Sequence, residues 1–145
     1  MEKLHTALNV QIANWSVLYT KLHNYHWFVK GPFFFTLHEK FEEYYNEAAE
    51  IVDEVAEKLL AVGGTPVATM KEYLNIATIE EAAGTSNAND MVSSLVADYK
   101  KLQAELKELA ELADDEDNDS INDLAVGLVA KLDLHIWMLT SYLGE

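Results

Sequence analysis

Four stretches of this chain repeat apolar side chains at every third or fourth position over many turns, and that periodicity constrains the fold more than any other feature. Such stripes are buried only when each stretch is helical and lies lengthwise against the others. The first carries Leu4, Leu8, Ile12, Trp15, Tyr19, Leu22 and His26 and is predicted to run to about Phe28. Gly31-Pro32 stops it, because Pro disfavours helix in the residue before it and has no N–H to donate. The second carries Phe34, Leu37, Phe41, Tyr44, Ala48, Ile51, Val55, Leu59 and Val62. It is expected to open near Thr36-Leu37-His38-Glu39, which has the form of a capping box, and to stop at Gly63-Gly64. The third carries Val92, Leu95, Tyr99, Leu102, Leu106 and Leu109 in an almost unbroken heptad, and the acidic run Asp114 to Asp119 ends it. The fourth carries Ile121, Leu124, Leu128, Leu132, His135, Leu139 and Tyr142.

Between the second and third stretches the pattern is interrupted by Pro66, Gly84 and a polar Thr85-Ser86-Asn87 cluster, around a short helix expected at Met70 to Asn75. The expectation is an all-α four-helix bundle filling residues 1–145 as a single domain, with short first and third connections and a long middle one that crosses the bundle. With 50% hydrophobic residues, 145 residues can build one sizeable core in spite of a net charge of −15.

Composition narrows the chemistry. The absence of Cys removes disulfides, thiolate nucleophiles, zinc fingers and iron–sulfur clusters, so a metal must be held by nitrogen or oxygen. All the basic residues are Lys, and the missing Arg is the side chain that reads phosphates and base edges best. The opening residues lack an apolar leader core, and no run reaches roughly 18 uninterrupted apolar residues. A cytoplasmic chain without a membrane partner is expected.

On a helical wheel for the second helix, taking about 100° per residue from His38, Glu42 falls at about 40°, Asp53 at about 60° and Glu57 at about 100°, with the apolar stripe centred at about −85°. Phe35, Ala49, Ala56 and Leu60 share that second face, which is mixed and suited to contact with another subunit. His38 with Glu42, and Asp53 with Glu57, are i, i+4 pairs. Imidazole and carboxylate together suit Fe(II), Mn(II) or Zn(II). His38 and Asp53 stand about 22 Å apart along a continuous helix, too far to share an ion within one chain. Two copies of the helix crossing antiparallel about a twofold axis near Asn46 would bring the His end of one to the carboxylate end of the other. His26, folded back by Gly31-Pro32, can then join as a second nitrogen ligand.

By spacing alone, acidic i, i+4 pairs are also what a solvated helix face shows, and a His on an apolar stripe is also what a hydrogen-bonded core shows. Other groupings are weaker. Glu2 and His5 have the Glu-x-x-His spacing of di-iron bundles but sit at a terminus without a second copy. Asp115, Asp117 and Asp119 lack the Gly and Glu that complete a calcium loop, since Ser120 and Val126 stand there. His23 is expected at the bundle surface and His135 in the core; Tyr25, Trp27, Phe28, Phe33, Phe34 and Phe35 are also expected in the core, with Trp27, beside His26, placed in addition to take up oxidising equivalents. No phosphate loop or nucleophile elbow is present.

The run Leu22-His23-Asn24-Tyr25-His26-Trp27-Phe28-Val29-Lys30-Gly31-Pro32-Phe33-Phe34-Phe35-Thr36-Leu37-His38-Glu39-Lys40-Phe41, with Asp53-Glu54-Val55-Ala56-Glu57, Ala68-Thr69-Met70-Lys71-Glu72-Tyr73 and His135-Ile136-Trp137-Met138-Leu139, resembles the Dps family of mini-ferritins across essentially the whole chain. The likeness is to the iron-handling members of Gram-positive bacteria. It implies a ferritin-like bundle assembled as a hollow shell of twelve subunits, with ferroxidase sites between twofold-related copies. His26 and His38 would come from one subunit and Asp53 and Glu57 from its partner, with Glu42 at the place of a further acidic residue. The implied reaction is oxidation of Fe(II), preferentially by hydrogen peroxide, with ferric oxide deposited inside. Zn is implied as a further occupant of the site. Asp123 resembles the family's threefold-pore aspartate, and Asp133 would line the same channel further in.

DNA-coating members carry basic terminal extensions, whereas Met1-Glu2-Lys3-Leu4 leads almost directly into the first helix and the chain closes at Gly144-Glu145. With the strong negative charge, this weighs against direct DNA binding. The alternatives to an iron-oxidising shell are a nucleoid-associated DNA-protecting protein and a metal-free assembly or interaction protein.

Overall fold

The computed structural model describes residues 1–84 and 87–145, so Thr85 and Ser86 of the polar cluster lie outside the described residues. Among the described residues five helices follow in order: α1 (Glu2–Phe28), α2 (Phe34–Ala61), α3 (Met70–Ile76), α4 (Ala88–Asp115) and α5 (Asp119–Tyr142). The four long ones form the bundle, with α1 packed along α2 and α4 along α5, and α3 is the short helix of the long connection, resting on α1. The fold is the all-α four-helix bundle expected, with its short extra helix in the long connection.

The core is built from the predicted stripes, but of the aromatic series expected in it Trp27, Phe28, Phe33 and Phe35 are exposed, because they fall off those stripes around the α1–α2 turn. Trp15, Tyr25, Phe41 and Tyr99 are fully buried among Leu4, Leu8, Ile12, Leu18, Leu22, Leu59, Leu95 and Leu102. Polar ties hold the connection across the bundle. Asn14 on α1 accepts from the backbone N–H of Thr78 and Ile79 and donates to Thr78 and Glu105. Lys21, 5% exposed, pairs with Asp98 of α4 at 2.8 Å and donates to the Glu80 carbonyl.

Local signals were partly overridden. α2 opens at Phe34, with Phe33 as a cap that contributes no side-chain hydrogen bond, so Thr36-Leu37-His38-Glu39 lies within the helix and caps nothing. The Gly31 turn, at φ +111, feeds straight into the helix through Phe34 N–H to Gly31 O (3.1 Å), and Phe34 packs against the core. A capping arrangement forms instead at α3, where the Thr69 hydroxyl accepts from the Glu72 N–H and the Glu72 carboxylate accepts from Ala68 N–H and the Thr69 hydroxyl. The acidic run holds the α4–α5 turn, with Asp117 left-handed at φ +55 and Asn118 capping α5 by accepting from Ile121 N–H.

Helix α5 is long and apolar enough to cross a membrane by length and composition, with mean hydropathy 1.3 over its richest window. It nonetheless has two faces. Ile121, Ala125, Leu128, Leu132 and Leu139 are buried, while Val126, Leu134, Trp137 and Met138 are exposed beside Asp123 and Asp133.

Candidate metal centre

The α1–α2 turn brings the two predicted imidazoles face to face. The helix ends at Phe28, Val29 is extended and buried, and glycine's freedom at Gly31 lets the chain reverse within a few residues. The rings of His26 and His38 then stack at 3.7 Å between centroids and 12° between planes. Their backbones tie the stack reciprocally: His26 Nδ1–H donates to the His38 carbonyl at 2.6 Å and His38 Nδ1–H to the His26 carbonyl at 2.7 Å. A carbonyl can only accept, so each Nδ1 must carry the proton. In the neutral ring this leaves both Nε2 atoms as free lone pairs, the state in which imidazole binds a metal, held by the kind of backbone tie that orients metal-ligating His. His26 is 6% exposed, and Phe34 stacks on the His38 ring at 4.9 Å.

Glu42, one turn beyond His38, is exposed and sets Oε1 3.8 Å from His26 Nε2. Tyr45 stands over this carboxylate, its hydroxyl donating to Glu42 Oε1 at 3.5 Å. Its phenol is raised above the ordinary range by desolvation and then by the Glu42 charge. Asp53 and Glu57 are exposed far along α2, about 22 Å from the imidazoles at the rise of a straight helix. Among the described residues, no three His, Asp or Glu side chains of a single chain converge in a way that could hold an ion. The candidate donors of one chain therefore stand in two groups, toward opposite ends of α2.

Asp123 and Asp133 are exposed on α5, away from the α1–α2 turn, and Asp133 accepts from Gln103 Nε2 at 2.6 Å. His135 is not a plain core residue as expected: its Nε2 meets Glu47 Oε1 at 2.8 Å, both half-buried, with the Tyr44 and Tyr99 rings against it. Burial, and after it the Glu47 charge for Tyr44 and the neighbouring Tyr44 for Tyr99, push these two phenols well above their usual range. His23 lies partly exposed at the bundle surface, as expected, packed there against Tyr45, Tyr19 and Trp27. Tyr45 and Glu47 carried no sequence signal of their own, because each is defined by a contact with another helix.

Comparison with known proteins adds an independent line. Residues 5–145 match the family described as Ferritin-like domain. The chain is 54% identical over 139 residues to DNA protection during starvation protein 2 of Bacillus anthracis, covering 96% of this chain and 95% of that one. The crystal structure of a Dps protein from Bacillus brevis superposes with a TM-score of 0.97 at 48% identity, covering 98% of this chain and 95% of that one. The structure of Dps from Listeria innocua soaked with zinc superposes at 0.95 with 42% identity, covering 98% and 97%.

Proposed function

This chain belongs to the Dps family of ferritin-like proteins, and on that premise we propose that it is an iron-oxidising, iron-storing shell whose ferroxidase sites lie between twofold-related copies. The observation that carries the reading is the stacked His26–His38 pair, with both Nδ1 atoms engaged and both Nε2 atoms free, at one end of a helix whose other end presents Asp53 and Glu57. The pairs His38 and Glu57, Glu42 and Asp53, and Phe35 and Leu60 are all centred between residues 47 and 48. One twofold axis beside that point, close to the crossing expected near Asn46, would set all of them opposite each other. Phe35 and Leu60, 83% and 58% exposed, then become the apolar flanks of the interface.

In this reading His26 and His38 of one copy, with Asp53 and Glu57 of the other and Glu42 beside them, bind ferrous iron as substrate. Carboxylates stabilise the ferric product more than the ferrous substrate, which favours loss of an electron. Two Fe(II), one hydrogen peroxide and two protons give two Fe(III) and two waters, and the ferric ions pass inward as oxide. Zinc, which suits the same donors, competes for the site. The shell has twelve subunits and works in the cytoplasm, and its summed charge of roughly −180 draws cations inward past Asp123 and Asp133.

The Bacillus anthracis relative is named for DNA protection. Removing Fe(II) and peroxide together protects DNA without touching it, and a net charge of −15 without Arg weighs against direct binding to phosphates. The test is anaerobic loading with Fe(II), addition of peroxide, and ferric absorbance followed on the wild type and on an Asp53→Ala variant of unchanged oligomeric state. Fast oxidation that the variant largely loses supports the reading; equal, slow rates in both leave the α2 face as an assembly surface only.

A further inference from the structure

The His38 imidazole is covered on both faces. His26 lies against one, at 3.7 Å between centroids and 12° between planes, and the Phe34 ring stacks on it at 4.9 Å and 21°. One ring face has room for one stacked partner, so the two neighbours take opposite faces and the order is Phe34, His38, His26. Phe34 is itself held in place. It is the first residue of α2, its N–H donates to the Gly31 carbonyl at 3.1 Å, and its half-buried ring packs against the core. Phe35 meets that ring edge-on at 5.4 Å. Because α2 opens at Phe34, this residue stands one helical turn before His38, the i, i+4 spacing at which side chains meet. A helix capped by Thr36 would have left it in the turn.

The bond to the His26 carbonyl fixes one atom of the His38 ring, Nδ1, and by itself leaves the ring free to swing about that point. Flat partners on both faces remove the freedom, so the Nε2 lone pair has one direction before an ion arrives. When Nε2 gives its lone pair to a metal, the imidazole gains positive character, more with Fe(III) than with Fe(II). The face of a phenyl ring is negative and attracts that charge, whereas an aliphatic side chain only fills the space. We infer that Phe34 is a positioning residue of the site, aiming His38 Nε2 and favouring its metal-bound state; the inference rests on the ferroxidase reading above.

The experiment titrates assembled wild-type, Phe34→Tyr, Phe34→Leu, Phe34→Met and His38→Ala shells anaerobically with Co(II). Visible absorption gives affinity and stoichiometry, and light scattering gives the mass of each shell. Phe34→Leu and Phe34→Met should bind Co(II) at least about 10-fold more weakly than the wild type, at unchanged stoichiometry and mass. Phe34→Tyr, which keeps the ring, should stay close to the wild type. Either apolar variant suffices if the other does not assemble. Wild-type affinity in an assembled Leu or Met shell overturns the inference, and so does a Tyr shell as weak as they are. Failure of both apolar variants to assemble also overturns it, since Phe34 would then serve the packing alone. These three results leave the ferroxidase reading standing. A wild type that binds Co(II) no more tightly than His38→Ala overturns both.

Discussion

At the α1–α2 turn, two imidazoles have their protons assigned by each other's backbone carbonyls, so the donors are set before any ion arrives. Elsewhere single residues carry stability. Lys21 and Asp98 form a largely buried ion pair, and removing one partner strands the other charge. Asp98→Ala is expected to cost about 3 kcal/mol in denaturant unfolding at equal subunit concentration. Burial lifts the Asp98 carboxyl above the ordinary aspartate value, with Lys21 opposing. The folded chain therefore holds that proton more tightly than the unfolded one, and this group's contribution to stability falls as pH rises from the ordinary value through the raised one. Unfolding of Asp98→Asn followed across that window should lack the decline. His135→Leu leaves Glu47 half-buried without its partner, and a loss of about 1–3 kcal/mol is expected. His26, His38 and Glu42 were legible in the sequence because they follow a turn and a helical period. Tyr45, Glu47 and the Lys21–Asp98 pair were not, since no single-helix pattern says which face of another helix will meet them.

On the scale of elements, the stripes of α1, α2, α4 and α5 could be read directly, because burial rewards the same period over many turns. Short-range capping signals were less faithful. Thr36 and Glu39 have the right spacing, yet Phe34 against the core starts α2 earlier, whereas Thr69 and Glu72 cap α3 unannounced. The Glu72 carboxyl lies below the ordinary range, held there first by the Thr69 hydroxyl and then by the Ala68 N–H. Its support for α3 is therefore present above the ordinary Glu value and lost as pH falls through the lowered one. Amide exchange of residues 70–76 should speed up on acidification through that window in the wild type, and should not change there in Glu72→Gln. Gly31 takes a conformation that side chains resist. Gly31→Ala is expected to cost about 1–3 kcal/mol in unfolding and to slow ferrous oxidation, because strain at the turn shifts His26 against His38.

For the whole molecule, the exposed aromatic and aliphatic residues on the second face of α2 and on α5 are more than one isolated chain would leave to water. Family membership explains them as surfaces between copies, and the reading places Phe35 opposite Leu60 in the proposed pair. Phe35→Asp should shift the mass measured by light scattering to smaller species and reduce peroxide-driven oxidation with it. The charge of the chain predicts no retardation of duplex DNA at physiological salt, and a gel shift without added divalent cation would refute this. Length and spacing along α2 pointed to a site shared by two chains. The same spacing put the crossing near Asn46, and pairing His38 with Glu57, Glu42 with Asp53 and Phe35 with Leu60 moves it to between residues 47 and 48.

The most direct test of the intersubunit site mixes His38→Ala and Asp53→Ala subunits, dissociated and reassembled together, and follows ferric absorbance after peroxide. A mixed pair carries one site with both defects and one site with neither. Random reassembly should therefore recover about a quarter of the wild-type fast phase from two parents that lack it. Recovery no greater than either parent alone would mean that these residues do not meet across a twofold axis, and would contradict the central claim.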